Sequence, residues 1–166
     1  KLIVMDTMNF WMDIAMDDLK TVLKKVDVLL VNDGEARQLS GEVSLVKAAK
    51  AIMAMGPQYL IIKKGEHGAL LFHQNSVFFA PALPLEDVID PTGAGDTFAG
   101  GFTGYLAKVK DISFDSMKTA IIVGSAMASF CVEKFGPERL KEITADDITA
   151  RINEFVQLVN FDIDLI

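Results

Sequence analysis

The chain has 166 residues, of which 51% are apolar and 23% are charged, the composition of an ordinary soluble globular domain with its own core. A formal net charge of −7 argues against sequence-independent binding to nucleic acid or to an anionic membrane, because both need clustered Lys and Arg. Apolar runs stay below the roughly 18 residues of a membrane span, no signal peptide is visible, and Cys131 has no second cysteine to pair with. We therefore expect one domain over residues 1–166, located in the cytoplasm, with no nucleic-acid or membrane partner.

The first part of the chain alternates between two hydrophobic patterns. Short apolar runs rich in β-formers predict strands, whereas apolar residues at helical spacing predict helices. In chain order these are a strand over Leu2–Met5, a helix over Asp17–Lys25, a strand over Val26–Val31, a helix over Glu35–Leu39, a helix from Ser44 to about Met55 and a strand over Tyr59–Lys63.

A hairpin and a series of helices follow. Ala69–His73 and Val77–Ala80 predict the hairpin, and the apolar pair Val88-Ile89 is interpreted as one more short strand. Helices are predicted over Gly95–Lys108, Ser116–Lys134 and Ala145–Val159. Continuous apolar strands separated by amphipathic helices indicate an α/β fold, a three-layer α/β/α arrangement with a mostly parallel central sheet.

Such sheets bind ligands at the carboxyl ends of their strands, and polar motifs follow three of the predicted strands. These motifs are Asn32–Glu35, Lys63–Gly68 and Asp90–Asp96, the last of which we call the glycine loop. The glycine loop matches neither the P-loop spacing nor the dinucleotide-binding fingerprint, since Phe98 stands where the third glycine of the latter belongs.

The glycine loop has the layout of a phosphoryl-transfer site. Gly93, Ala94 and Gly95 carry little or no side chain, so their amides can point at one group of oxygens, and the dipole of the following helix adds positive charge there. Asp96 could accept a proton from an attacking hydroxyl group. The alternative is that Asp96 only caps the helix and the glycines only form a turn.

The segment Asp90-Pro91-x-Gly93-Ala94-Gly95-Asp96-x-x-x-Gly100-Gly101 resembles the C-terminal signature of the ribokinase-like (PfkB) carbohydrate kinases. The resemblance implies that Asp96 is the catalytic base and that the amides of Gly93, Ala94 and Gly95 form the anion hole. It also implies that Asp90 and Thr92 help to hold a monovalent cation such as K⁺.

Two other motifs resemble the nucleotide-binding parts of the same family. Asn32 and Glu35 match its Asn-x-x-Glu motif, which implies a role at Mg²⁺, directly or through water, and at the triphosphate of ATP. Lys63, Gly65 and Gly68 match a nucleotide-contacting turn in which the family commonly has Thr at the position of Lys63; an ammonium group could meet a phosphate instead. Helix capping and a solvated lysine pair are the alternatives that the residues leave open.

Two further matches lie in the predicted helix Ser116–Lys134 and just after it. Ser125 falls near the adenine of the family's nucleotide, and Phe135-Gly136-Pro137 falls near a second cation-binding loop. Close helix packing at Gly124 and a helix stop at Gly136 are the alternatives.

The resemblance implies ATP-dependent phosphorylation of an alcohol group on a sugar or nucleoside. A kinase for a pyrimidine or vitamin-like alcohol and a non-catalytic nucleotide-binding module are the other hypotheses. The match covers only the C-terminal half of such a kinase, so the N-terminal substrate and lid part is absent. We therefore expect weak activity at best from these residues alone, and self-association, a homodimer for example, through the exposed sheet edge.

Overall fold

The structure is a computed structural model and describes residues 1–160. These residues form two compact units, Lys1–Ala80 and the part from Pro81 onward, and each is described by itself. Within residues 1–160, no helix is both long enough and apolar enough to cross a membrane.

The first unit contains a five-stranded sheet whose strands lie side by side in chain order. The strands are β1 (Val4–Asp6), β2 (Val28–Asn32), β3 (Tyr59–Lys63), β4 (Ala69–His73) and β5 (Ser76–Ala80). The pairs β1–β2 and β2–β3 are parallel, whereas β3–β4 and β4–β5 are antiparallel. The sheet is therefore mixed, and the expectation of a mostly parallel sheet holds only for β1–β3, because β4 and β5 are the predicted hairpin.

Four helices of the first unit connect the parallel strands. They are α1 (Asn9–Ile14), α2 (Met16–Leu23), α3 (Asp33–Ser40) and α4 (Leu45–Met53). The apolar residues of β2 and β3 are fully buried from Val28 to Val31 and from Leu60 to Ile62, as expected for strands covered on both faces. Helix α1 was not predicted, because it has only six residues and four of them are apolar, so no polar face distinguishes it as an amphipathic helix. Met12 is buried, whereas Phe10, Trp11 and Ile14 are exposed.

Within residues 81–160, the second unit begins with an irregular segment over residues 81–93, and four helices follow. Its helices are α5 (Ala94–Val109), α6 (Phe114–Cys131), α7 (Glu138–Glu142) and α8 (Ala145–Val159). Phe102 of α5, Phe130 of α6 and Phe155 of α8 are at most 2% exposed and form the centre of its core.

The prediction of a strand at Val88-Ile89 was wrong. Both side chains are exposed, by 56% and 49%, and the Ile89 amide donates to the Val132 carbonyl at 2.8 Å outside any strand. An apolar pair this short cannot establish a strand by itself, and the tertiary bond to Val132 determines its backbone instead.

Candidate active site

Helix α5 begins directly after Gly93, which adopts the left-handed conformation with φ +82°. A side chain at this position would be strained, so glycine is required by the turn. The Thr97 amide donates to the Gly93 carbonyl at 2.8 Å, and the Ala94 amide donates to the Pro91 carbonyl at 3.2 Å. Of the three amides expected to form an anion hole, that of Ala94 is thus committed to the turn.

The amides of Gly93, Gly95 and Asp96 have no acceptor among the described residues. Such unpaired donors at a helix start attract anions, and the helix dipole adds to the attraction. Asp96 lies in the first turn of α5 with an exposed side chain and no ion pair within residues 1–160. A carboxylate that is accessible and not occupied by a structural bond is suited to accept a proton from a bound hydroxyl group.

Asp90, the first residue of the glycine loop, accepts a hydrogen bond within the loop. Its Oδ1 accepts a hydrogen bond from the Thr92 amide at 2.9 Å. This bond, together with the nearby Thr92 hydroxyl and Gly136 amide, holds the pKa of the Asp90 carboxyl below its ordinary value. The two segments expected to surround a monovalent cation, Asp90–Thr92 and Phe135–Pro137, are therefore neighbours.

Residues at the C-terminal end of α6 form hydrogen bonds with the glycine loop and the residue before it. The Val132 carbonyl accepts from the amides of Ile89 and Asp90, at 2.8 and 3.3 Å. The buried Cys131 thiol donates to the Thr92 carbonyl at 3.7 Å. These contacts fix the position of the glycine loop on the end of α6. No sequence motif predicted them.

Ser125 lies in the middle of α6 and is partly exposed. Its neighbour Gly124 is buried, and a Cβ atom there would lie 2.8 Å from the Phe98 carbonyl oxygen of α5. Close helix packing thus accounts for Gly124, while the role of Ser125 near a base stays a prediction.

In the first unit, Asn32 and Glu35 form a capping box at the start of α3. The Asn32 Oδ1 accepts from the Glu35 amide at 2.7 Å, and the Glu35 Oε2 accepts from the Asn32 amide at 2.7 Å. The residue Glu35 is only 5% exposed, and this burial raises the pKa of its carboxyl, against the opposing effects of the Asn32 amide and Lys63. Helix capping, the alternative that the sequence left open, is therefore present.

The capping box bears directly on the expected Mg²⁺ contact. One oxygen of Glu35 and the single oxygen of the Asn32 side chain are already bonded to backbone amides. Within residues 1–160, no group of three His, Cys, Asp or Glu side chains is arranged to hold a metal ion. The remaining Glu35 oxygen fits a contact through metal-bound water better than a full set of direct ligands.

Lys63 is not a solvated residue at the end of a strand. Its Nζ donates to the Asp6 Oδ2 at 2.5 Å, across β2, and the side chains of Lys63 and Asp6 are 18% and 25% exposed. Asp6 was missed by the sequence reasoning. The signal that could have found it is position, because Asp6, Asn32 and Lys63 each end one of three adjacent parallel strands.

The predicted turn after β3 is present as a short 3₁₀ turn over Gly65–His67. It is closed by bonds from the Lys64 amide to the Gly68 carbonyl at 2.8 Å and from the Gly68 amide to the Gly65 carbonyl at 3.1 Å. Gly65 is exposed and has no atom within 4 Å of a Cβ position, which leaves the backbone open to a ligand.

The sequence is similar to a known protein family and to individual proteins. A family model described as pfkB family carbohydrate kinase matches residues 2–143. The chain belongs to the pfkB family of carbohydrate kinases. Among curated members, this PfkB chain is 37% identical over 92 residues to a cytidine kinase of Thermococcus kodakarensis, covering 54% of the chain and 33% of the relative. It is 31% identical over 122 residues to a ribokinase of Staphylococcus aureus, covering 70% of the chain and 38% of the relative.

Solved structures share the fold of this chain. An aminoimidazole riboside kinase from Salmonella enterica, complexed with aminoimidazole riboside and an ATP analog, matches 91% of this chain and 52% of its own with a TM-score of 0.79 at 25% identity. An Escherichia coli protein assigned as a ribokinase II, solved with ATP and Mg²⁺, matches 95% of this chain and 49% of its own with a TM-score of 0.73 at 25% identity. The ribokinase-like α/β fold is thus confirmed, and the chain spans about half the length of these proteins.

Proposed function

We propose that the protein is an ATP-dependent phosphotransferase that acts on an alcohol group of a sugar or nucleoside, with Asp96 as the catalytic base. One observation carries the proposal: the exposed Asp96 carboxylate lies in the same helix turn as the unpaired amides of Gly93 and Gly95. A base for the attacking hydroxyl and donors for the migrating phosphoryl group are thereby adjacent.

The proposed chemistry assigns one proton transfer and one phosphoryl transfer to these groups. Asp96 accepts the proton of the acceptor hydroxyl as its oxygen forms a bond to the γ-phosphorus of ATP and the bond to the bridging oxygen breaks. The amides of Gly93 and Gly95 donate to the phosphoryl oxygens, where negative charge accumulates during the transfer. The Ala94 amide contributes by fixing the turn rather than by donating to the phosphate, since it is bonded to Pro91.

The nucleotide-binding roles of the remaining residues belong to the same proposal. Lys63 would contact a phosphate, with Gly65 and Gly68 allowing the backbone to approach the nucleotide, and Ser125 would lie near the adenine. Asn32 and Glu35 would hold Mg²⁺ through its waters, and Asp90 and Thr92 would help to hold a monovalent cation. Bound Mg²⁺ supplies charge neutralisation of the phosphates.

The test is Asp96→Asn in the full-length protein. Loss of the base should lower kcat by about 10²- to 10⁴-fold, the usual contribution of general base catalysis, while the Kd for ATP stays the same. Asp115→Asn is the matched control, since Asp115 is also an exposed acid in the first turn of a helix, α6. Unchanged turnover in Asp96→Asn would show that the assigned base is wrong, and ATP binding without turnover in the unaltered protein would favour a non-catalytic module.

The 166 residues alone are proposed to be weakly active at best, because the chain covers only 33% and 38% of the two curated relatives described above. Phosphoryl transfer needs both reactants held in line and water excluded. The assay compares the isolated 166 residues with the full-length protein, and equal sugar-kinase turnover would contradict the proposal.

Self-association is a further part of the proposal. β5 is the last strand of the sheet that residues 1–160 form, and its Val77 and Phe79 are 55% and 53% exposed. Exposed apolar side chains on an edge strand favour pairing with a second copy. Sedimentation velocity over a range of concentrations tests this, with Val77→Lys expected to weaken association; a strictly monomeric profile at high concentration would count against it.

A further inference from the structure

The ion pair between Asp6 and Lys63 joins two strands that are not neighbours. Asp6 ends β1 and Lys63 ends β3, and β2 lies between them in the sheet. The 2.5 Å distance from the Lys63 Nζ to the Asp6 Oδ2 therefore requires the lysine side chain to lie across the carboxyl end of β2. A lysine with no such partner would extend into solvent from the end of its strand.

Asp6 is itself held in place. Its Oδ1 accepts a hydrogen bond from the Thr7 amide at 2.9 Å, so both of its oxygens have a partner. An ammonium group has three N–H donors, and the bond to Asp6 uses one of them. Two donors of Lys63 are left for a ligand at the ends of the parallel strands.

Glu35 belongs to the same group of charges. Lys63 lowers the pKa of the Glu35 carboxyl and Asp6 raises it, so both charges act on Glu35 at the ends of β1, β2 and β3. The ammonium is the one positive charge among these three groups. The position of the ammonium therefore decides where an anionic ligand can be accommodated.

Lysine needs a positioning partner more than the Thr of the related motif does. A lysine side chain has about 2 kcal/mol of rotamer entropy to lose on being fixed, whereas a hydroxyl on Cβ is placed by the backbone. A pre-existing bond that already restricts the lysine removes part of this cost from ligand binding. The Asp6 carboxylate supplies such a bond.

We propose that Asp6 is a positioning residue that holds the Lys63 ammonium over the carboxyl ends of β1–β3, where Lys63 contacts a phosphate group of the bound nucleotide. This inference rests on the proposed function, since it takes ATP as the ligand. Asp6 lies outside the motifs that resemble the family. Its effect on nucleotide affinity should depend entirely on Lys63.

The experiment is a double-mutant cycle in the full-length protein, with the Kd and KM for ATP and kcat measured for Asp6→Asn, Lys63→Met and the double variant. Loss of a charge-assisted bond to phosphate should raise the Kd of Lys63→Met by about 10- to 100-fold. Asp6→Asn should raise the Kd by a smaller factor, with kcat little changed. In the Lys63→Met background, Asp6→Asn should have no further effect.

Matched controls separate positioning from general damage. Lys50→Met removes a positive charge from the exposed side of α4, and Asp27→Asn removes a carboxylate that accepts from the Ile3 amide at 2.8 Å just before β2 begins. Both should leave the Kd for ATP unchanged.

Asp6→Glu, which keeps the carboxylate, should restore most of the affinity lost in Asp6→Asn and serves as the test if the asparagine variant does not fold. Tripolyphosphate competition with ATP should weaken in Lys63→Met and Asp6→Asn, a change that a purely structural ion pair would not produce.

The outcomes are distinguishable. Equal effects of Asp6→Asn with and without Lys63 would overturn the positioning role, as would an unaltered Kd for ATP in Lys63→Met while the unaltered protein phosphorylates its substrate. Those results would leave the proposed function intact. Failure of the unaltered full-length protein to bind ATP would instead refute the proposed function, and this inference with it.

Discussion

Gly101 of α5 lies against Gly124 of α6 so closely that a Cβ atom on Gly101 would be 3.1 Å from the Gly124 Cα. A Cβ atom on Gly124 would in turn be 2.8 Å from the Phe98 carbonyl oxygen, a backbone atom that cannot move aside like a side chain. Helix α5 is the helix that begins at the glycine loop, so this close contact determines where the loop and Asp96 are held relative to α6.

Gly124→Ala should therefore destabilise the second unit. Forcing a methyl group into this contact should lower the free energy of unfolding by about 1–3 kcal/mol, as overpacking does elsewhere. Gly104→Ala is the control, because a Cβ atom at that exposed position of α5 meets nothing within 4 Å. The control should be neutral or stabilise the helix by up to about 1 kcal/mol. Chemical denaturation measures both, and equal behaviour of the two variants would contradict the packing argument.

The buried carboxyl of Glu35 predicts a pH dependence of stability. Burial raises its pKa above the ordinary 4.5, so the folded state holds a proton that the unfolded state releases, and the free energy of unfolding falls as pH rises through that window. Glu35→Gln keeps an acceptor for the Asn32 amide but cannot ionise. Relative to the unaltered chain, this variant should gain stability as the pH rises above 4.5. Denaturation at several pH values tests this, with the exposed Glu66→Gln as control; a gain toward low pH would contradict the sign.

Removing the Asp90 carboxylate should loosen the glycine loop. Asp90→Ala releases the Thr92 amide, so amide hydrogen exchange over residues 89–97 should become faster. Asp111→Ala is the control, because Asp111 similarly accepts from the Ser113 amide at 3.1 Å but lies just before α6. Exchange in the loop should not change in the control, and equal acceleration in both variants would indicate a general loss of stability.

Arg151 of α8 ties that helix to α6. Its guanidinium donates to the Ser129 hydroxyl at 2.7 Å and to Glu133 at 2.6 Å, and it stacks on the Phe130 ring at 4.0 Å. Arg151→Met should lower the free energy of unfolding by about 1–3 kcal/mol, the cost of removing hydrogen bonds to charged groups. Lys134→Met, in the same unit, removes an exposed pair with Glu142 and should change stability by less than about 1 kcal/mol. Thermal unfolding compares them, and an equal loss would show that Arg151 has no special role.

Much of the fold could be predicted where the spacing of apolar residues fitted only a strand or only a helix. The predicted bounds of Tyr59–Lys63, Ala69–His73 and Ala145–Val159 agree with the structure. The predicted strand Leu2–Met5 begins two residues before β1 and ends one residue before it. The end was missed because β1 finishes on a polar residue, Asp6, that carries no hydrophobic signal. Boundaries set by hydrogen bonding rather than by burial leave little trace in such a pattern.

The candidate site also has features that the sequence could predict and features that it could not. The glycine loop and the Asn32–Glu35 motif are local in sequence, so their residue types and spacing were sufficient to single them out. The Asp6–Lys63 pair joins residues 57 positions apart and depends on β1 and β3 lying on either side of β2. The commitment of the Ala94 amide to Pro91 depends on backbone torsion angles, which residue types alone do not determine.

The chain-order sheet has a consequence for biosynthesis. Each strand from β2 to β5 pairs with the strand made immediately before it, so no later segment has to be inserted between two earlier ones. Contacts of short sequence separation form with a small loss of loop entropy and favour rapid folding. Strands β1 to β5 can therefore add one at a time as the ribosome releases them, before the segment that contains Asp96 has been synthesised.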